Sequence, residues 1–195
     1  MGRKVGIELE DVVDAATEIA DKDGLDATTL SAVARQLGIK TPSLYNHVEG
    51  VDGLRRRLAM RGSEVLLDEI RRAAAGRSGV DALREIARAD RAFALKHPGL
   101  YESFLPAPTE QGDPELYDVM ARPVFAIAQV LLDMGIPQDQ AVHLIRALRA
   151  TLHGFLDLEA KDGFGMPVNI DDSFDAAVDL MLAGIEAAAE AGQRG

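Results

Sequence analysis

Apolar residues recur at helical spacing along almost the whole chain. Leu9, Val12, Val13, Ala16, Ile19 and Ala20 share one face of a predicted helix over residues 9–22. Glu8, Glu10 and Asp11 fill its first turn, where the helix dipole favours anions, and Gly24 stops it. A second helix starts at Thr28 or Thr29, either of which can cap free backbone N–H groups. Leu30, Val33, Ala34 and Leu37 form its buried stripe. Gly38 supplies a turn and Ile39 returns to the core. A third helix runs from Thr41 or Pro42 to about Val48, since threonine before proline makes a good N-cap and first-turn pair. Leu44 and Val48 face inward, which leaves Lys40, Thr41, Ser43, Tyr45, Asn46 and His47 outside. A fourth helix covers about residues 51–75, with Leu54, Leu58, Val65, Leu66 and Ile70 on its buried side.

Five more helices follow, over about 80–96, 100–105, 114–134, 137–161 and 172–191. Pro123 lies inside the third of these, where a kink is expected. Residues 76–79 are the clearest linker, and the Pro- and Gly-rich segments 106–112 and 162–168 read as loops. No strand pattern, repeat or low-complexity tract interrupts the series. The predicted fold class is all-α, with about nine helices: an N-terminal three-helix domain over 1–58 and a C-terminal helical domain over 59–195.

The absence of cysteine excludes disulfides, thiolate metal sites and a cysteine nucleophile. No secretory signal or long apolar run appears, so a cytoplasmic protein with no membrane partner is expected. A phosphate-binding glycine loop, a nucleophile elbow and a catalytic carboxylate pair are all missing, which argues against an enzyme. Asp171, Asp172, Asp175 and Asp179 sit at a predicted helix N-terminus, where acids are expected without a metal. No metal and no cofactor are expected.

Net charge is −11, but it is unevenly spread. Residues 62–195 carry −10 and residues 1–61 carry −1. Within 31–61, Arg35, Lys40, Arg55, Arg56, Arg57 and Arg61 outweigh Glu49 and Asp52, a local +4. A positive face on an acidic body can bind DNA, with a steep salt dependence. The stretch 28–54 has two short helices around a glycine turn, the helix-turn-helix pattern. In that motif the second helix enters the major groove, and residues at its N-terminal end reach base edges. Lys40 can donate to guanine O6/N7 or to a phosphate, and Thr41 and Pro42 can touch a thymine methyl. Ser43 belongs to the same turn, and Asn46 can read adenine from later in the helix. Thr29, at the second helix's N-terminus, offers either a plain cap or a phosphate site as well.

The Thr28-Thr29-Leu30 cap, Ala34, Leu37-Gly38-Ile39 and Leu44-Tyr45-Asn46-His47-Val48 together resemble the N-terminal domain of TetR/AcrR-family transcriptional repressors, over roughly residues 8–56. Leu152-His153-Gly154-Phe155, with Leu158-Glu159 after it, is similar to the Trp-His-Gly-type motif of one C-terminal subgroup, with leucine in first position. The resemblance implies a ligand-responsive repressor that binds a palindromic double-stranded DNA operator as a homodimer, its C-terminal domain serving ligand binding and dimerisation. It implies phosphate contacts for Tyr45 and His47. An activator of the same fold and a helical interaction protein with a degenerate helix-turn-helix are the alternatives. Three positions depart from the family: Val48 stands for phenylalanine, Lys40 for a turn serine, and Val51 for a lysine that contacts a phosphate. Arg55 or Arg56 would then take over that phosphate.

Small-ligand pockets are mostly apolar, with a few polar groups that orient the guest. Phe93, His97, Tyr101, Phe104, Met120, Phe125, Arg146, Arg149 and His153 are the expected lining for an unknown small-molecule effector. Gly154 and Gly184 lie mid-helix, where glycine costs about 1 kcal/mol relative to alanine. They point to close approach, either to a ligand or across a dimer. Apolar stripes mark the last two helices, and Leu148, Leu152, Phe155, Val178, Met181 and Ile185 are the expected dimer interface. Two such helices from each subunit would form the four-helix bundle that the resemblance implies.

Overall fold

A computed structural model describes residues 6–192. Among the described residues there are eight α-helices, two 3₁₀ segments and no strand. The helices are α1 (Leu9–Asp23), α2 (Leu30–Gln36), α3 (Gly50–Ala74), α4 (Gly79–Lys96), α5 (Pro98–Ser103), α6 (Pro114–Asp133), α7 (Gln138–Ala160) and α8 (Ile170–Gly192). The nine expected helical segments are all present. The third, Thr41–Asn46, is wound as a 3₁₀ helix, and a second 3₁₀ turn, Leu25–Ala27, follows α1. Bonds from Ser43 N–H to Lys40 O and from His47 N–H to Leu44 O, both 2.9 Å, close the tighter turns that a six-residue helix with proline near its start tolerates. Helix α6 runs on through Pro123 as one element.

The chain forms two compact units. Of the described residues, one holds those up to Val65 together with Lys96–Met120; the other holds Leu66–Leu95 and those from Ala121 onward. The chain passes between them within α3, α4 and α6. The units are therefore interleaved in sequence, unlike the single cut between 58 and 59.

In the first unit α1 buries Val12, Val13, Ala16, Ile19 and Ala20. Thr29 is the cap of α2: its Oγ1 accepts the Ala32 N–H at 3.2 Å. Thr28 is buried instead, and its hydroxyl donates to the Gly24 carbonyl at 3.0 Å. The Asp21 carboxylate, in the last turn of α1, accepts the N–H groups of Gly99 and Leu100 at 3.0 and 3.1 Å and faces His97 Nδ1 at 2.7 Å. It thereby closes the start of α5. The two helices meet at Gly99, where a Cβ would lie 2.6 Å from that of Ala20 and closer still to its carbonyl. Only glycine allows that approach.

The second unit packs Leu83 and Ala87 of α4, Leu131 of α6, Ile145, Leu148 and Leu152 of α7, and Phe174, Val178, Leu182 and Ile185 of α8 into one core. A row of arginines on α4 faces a row of acids. Arg84 pairs with Asp179, Arg88 with Asp175 at 3.0 Å, and Arg91 with both Glu159 (2.6 Å) and Asp171 (2.8 Å). Asp171, Asp175 and Asp179 of α8 thus all have arginine partners.

Candidate nucleic-acid interface and effector region

The short 3₁₀ helix carries its two faces by alternation of size and polarity. Leu44 and Val48 are buried. Tyr45 is 62% exposed, and Lys40, Pro42, Ser43 and Asn46 are exposed with it. Thr41 and His47 are half-buried. Gly38, at φ 67°, makes the turn that brings α2 to this segment. Thr29 is exposed, but its hydroxyl is engaged with the Ala32 N–H and lies 3.0 Å from Ser31 Oγ.

The local positive charge is smaller in space than along the sequence. Arg61 pairs with Glu10 and, at 3.1 Å, with Asp14 of α1. Arg56 is held by Asp113 and Glu115 at 2.6 and 2.7 Å. Its guanidinium, followed by the Leu116 N–H, holds the Asp113 carboxyl well below the ordinary range, at about 2. Arg55 keeps an open 3.5 Å pair with Asp26, and both side chains are solvated. Among the described residues neither Arg35 nor Lys40 has an ion-pair partner. Arg57 is half-buried and also has no ion-pair partner among the described residues, so the cations left to this surface are Arg35, Lys40, Arg55 and Arg57.

A family profile described as bacterial regulatory proteins, tetR family, matches residues 12–56, and one described as tetracyclin repressor-like, C-terminal domain, matches residues 83–181. The chain belongs to the TetR family. It is similar to the uncharacterized HTH-type transcriptional regulator YobS of Bacillus subtilis, 33% identical over 186 residues that cover 95% of this chain and 96% of the relative. The uncharacterized HTH-type transcriptional regulator Rv0681 of Mycobacterium tuberculosis is likewise 33% identical, over 95% of this chain and 85% of its own. The fold is that of a TetR variant from Acinetobacter baumannii AYE solved in complex with minocycline, with TM-score 0.71, 22% identity, and coverage of 93% of this chain and 98% of that one. Among the described residues no helix is long and apolar enough to cross a membrane, and no cluster of acidic and histidine side chains could hold a metal.

The residues expected to line an effector pocket are divided between the units of this TetR-family chain. His97, Tyr101, Phe104 and Met120 belong to the first; Phe93, Phe125, Arg149 and His153 belong to the second, as does Arg146. His97 is engaged at the helix end with Asp21. Tyr101 meets Phe104 edge-on at 5.6 Å, and the Phe104 ring occupies the space beside Gly62. Phe93 is buried, His153 half-buried, Arg146 and Arg149 exposed. Phe125 departs from expectation: it is 62% exposed, because its position on α6 falls on the outward side of the helical repeat. An open groove of about 680 Å³ in the first unit is lined by Met120, by Leu25, Asp26, Arg55 and Arg56, and by Pro106, Ala107, Pro108 and Asp113. A smaller one, about 270 Å³ in the second unit, lies among Arg88, Arg91, Leu95, Asp171, Phe174 and Asp175. Met120 is the one expected lining residue found in either groove.

Asp90 is an acid on α4 that none of the sequence motifs includes. It keeps some accessible surface, yet burial pushes its carboxyl up to about 6, against the opposing charge of Arg149. The signal was present: Asp90 continues the stripe of Leu83, Ile86 and Ala87 along α4, an acid at an apolar position.

The expected dimer residues also differ. Leu148, Leu152, Val178 and Ile185 are all buried in the subunit's own core, with Phe155 and Met181 packed half-buried against it. The outward faces of α7 and α8 instead carry Ala147, Ala150, Gly154 and Leu158, and Leu180, Ala183, Gly184 and Ala187. Most large side chains of these helices turn inward, but Leu158 and Leu180 lie outside with the small residues. A Cβ at Gly154 or Gly184 would meet nothing within 4 Å, so neither glycine is explained by packing inside the chain.

Proposed function

We propose that this TetR-family regulator is a ligand-responsive transcriptional repressor that binds a palindromic operator as a homodimer. Residues 1–58 are the DNA-binding domain and 59–195 the effector and dimerisation domain. The observation that carries the reading is the surface at residues 40–47: a row of exposed and half-buried polar side chains set over the buried pair Leu44 and Val48. Lys40, Thr41, Pro42, Ser43 and Asn46 read bases; Thr29, Tyr45, His47 and Arg55 grip phosphates. Repression follows the tetracycline-repressor likeness of the C-terminal part.

The dimer forms through the outward faces of α7 and α8, where Leu180 is 79% exposed and Gly154 and Gly184 leave room for a second backbone. Two-fold symmetry then spaces the readers about 34–36 Å apart, one turn of DNA. A small effector binds in the helical second unit near Phe93, Arg149 and His153, and favours whichever arrangement of readers it binds more tightly. Selection from a random DNA library, followed by mobility shifts at several salt concentrations, tests the reading. A palindromic site should be enriched, and Tyr45→Ala should weaken binding on every sequence. Failure of the wild-type protein to enrich any site would overturn the proposal.

A further inference from the structure

Arg55 and Arg56 are neighbours on α3, but of the two only Arg56 is held by close ion pairs. Arg56 donates from Nε to Asp113 Oδ2 at 2.6 Å and from Nη2 to Asp113 Oδ1 at 2.9 Å, a two-point pair. Nη2 also reaches Glu115 Oε2 at 2.7 Å, and Nη1 lies 3.2 Å from Met60 Sδ. The side chain is 25% exposed. Asp113 Oδ1 at the same time accepts the Leu116 N–H at 3.0 Å, which caps the first turn of α6. One carboxylate therefore closes α6 and clamps it to α3.

We propose that Arg56 is a positioning residue for DNA binding, a two-point clamp that fixes the first turns of α3 against the start of α6 and so sets the placement of the reader, without touching a phosphate itself. The proposal rests on the DNA-binding reading above. The chain gives the clamp a short path to the reader: α3 begins at Gly50, two residues after Val48, and the Gly50 N–H bonds to the Val48 carbonyl at 3.1 Å. It gives a path in the other direction too, because α6 continues from the clamp, past Met120, into the second unit. A guanidinium suits the task, since its planar fork fixes direction as well as distance, which an ammonium does not.

The test measures affinity for the selected operator and its salt slope, for wild type, Asp113→Asn, Arg56→Lys and Arg56→Ala. Asp113→Asn removes a negative charge near the DNA, so simple electrostatics predicts tighter binding. The clamp predicts binding about tenfold weaker, the loss of a charge-assisted pair. Arg56→Lys keeps the charge and would preserve a phosphate contact; the clamp predicts that it weakens binding nearly as much as Arg56→Ala. The salt slope should remain that of wild type in all three. A slope shallower by about 1 in Arg56→Ala, or unchanged or tighter binding by Asp113→Asn, overturns the proposal and leaves the DNA-binding reading standing. Absence of operator binding by the wild type overturns both, and that arm alone reports it. Should Arg56→Ala fail to fold, the near-isosteric Asp113→Asn and the charge-conserving Arg56→Lys decide.

Discussion

The Ser63 hydroxyl donates to the Val119 carbonyl at 3.0 Å in the interior of the first unit. Val119 lies four residues before Pro123, whose ring nitrogen carries no hydrogen, so its carbonyl lacks the donor a helix normally provides. Ser63 is 2% exposed and supplies the missing bond. This explains how α6 continues through its proline, and why a polar residue sits on the buried face of α3. Ser63→Ala should destabilise the protein by about 1–3 kcal/mol, the cost of a buried unsatisfied acceptor. In a Pro123→Ala background the helix regains its own donor, and the same substitution should cost much less. Urea denaturation of the four proteins completes the cycle. Equal costs in both backgrounds would show that the carbonyl is not the reason for the serine.

Asp90 sets a pH dependence of opposite sign to that of a salt-bridged acid. Its carboxyl is raised to about 6, so between about pH 4 and 6 the folded chain retains a proton that the unfolded chain releases. Stability from this group falls as pH rises through that window and is level above it. At pH 8 the ionised form costs about 3 kcal/mol, two pKa units at 1.36 each. Asp113, lowered to about 2, loses its contribution only below about pH 4 and does not interfere. Asp90→Asn should therefore raise the melting temperature at pH 8 and change it little at pH 4. A variant whose stability profile parallels that of wild type from pH 4 to 8 would remove Asp90 from this role.

The helices and the reader were legible in the sequence because both depend on local rules. Period-3.6 stripes, the Thr29 cap and the Gly38 turn need no knowledge of distant partners. What stayed hidden depends on pairs far apart in the chain. Arg56 meets Asp113 across 57 positions and Arg61 meets Asp14 across 47, which is why a count of charges along residues 31–61 overstated the positive face. Periodicity likewise says that α7 and α8 are apolar, but not which of two apolar faces turns inward. Packing against the neighbouring helices decides that: Leu148, Leu152 and Val178 fill the core, and Gly154 and Gly184 are left outside, together with Leu158 and Leu180.

Those outward faces yield a prediction about assembly. Leu180→Asp should leave the monomer's fold and melting unaltered, since the side chain is 79% exposed, and should shift sedimentation toward monomer. Gly184→Ala separates the two sources of stability. Within one chain the new methyl meets nothing within 4 Å and should favour the helix by about 1 kcal/mol. Across a closely packed dimer it should raise the dissociation constant. A dimer that tolerates both substitutions would place the interface elsewhere.

Val51 stands where the resemblance implies a phosphate-binding lysine. It lies in the first turn of α3 and is 37% exposed, so a longer polar side chain meets no steric barrier. Val51→Lys should add one phosphate contact and steepen the salt dependence of operator binding by about 0.9 in log–log slope. A cation near a helix N-terminus opposes the dipole by about 0.3–1 kcal/mol, so folding stability should fall slightly while DNA affinity at low salt rises. The two effects have opposite signs and different readouts, a thermal melt and a mobility shift. An unchanged slope would mean that the start of α3 does not face the DNA backbone, and that Arg55, the outward cation one turn further on, does not compensate for the missing lysine.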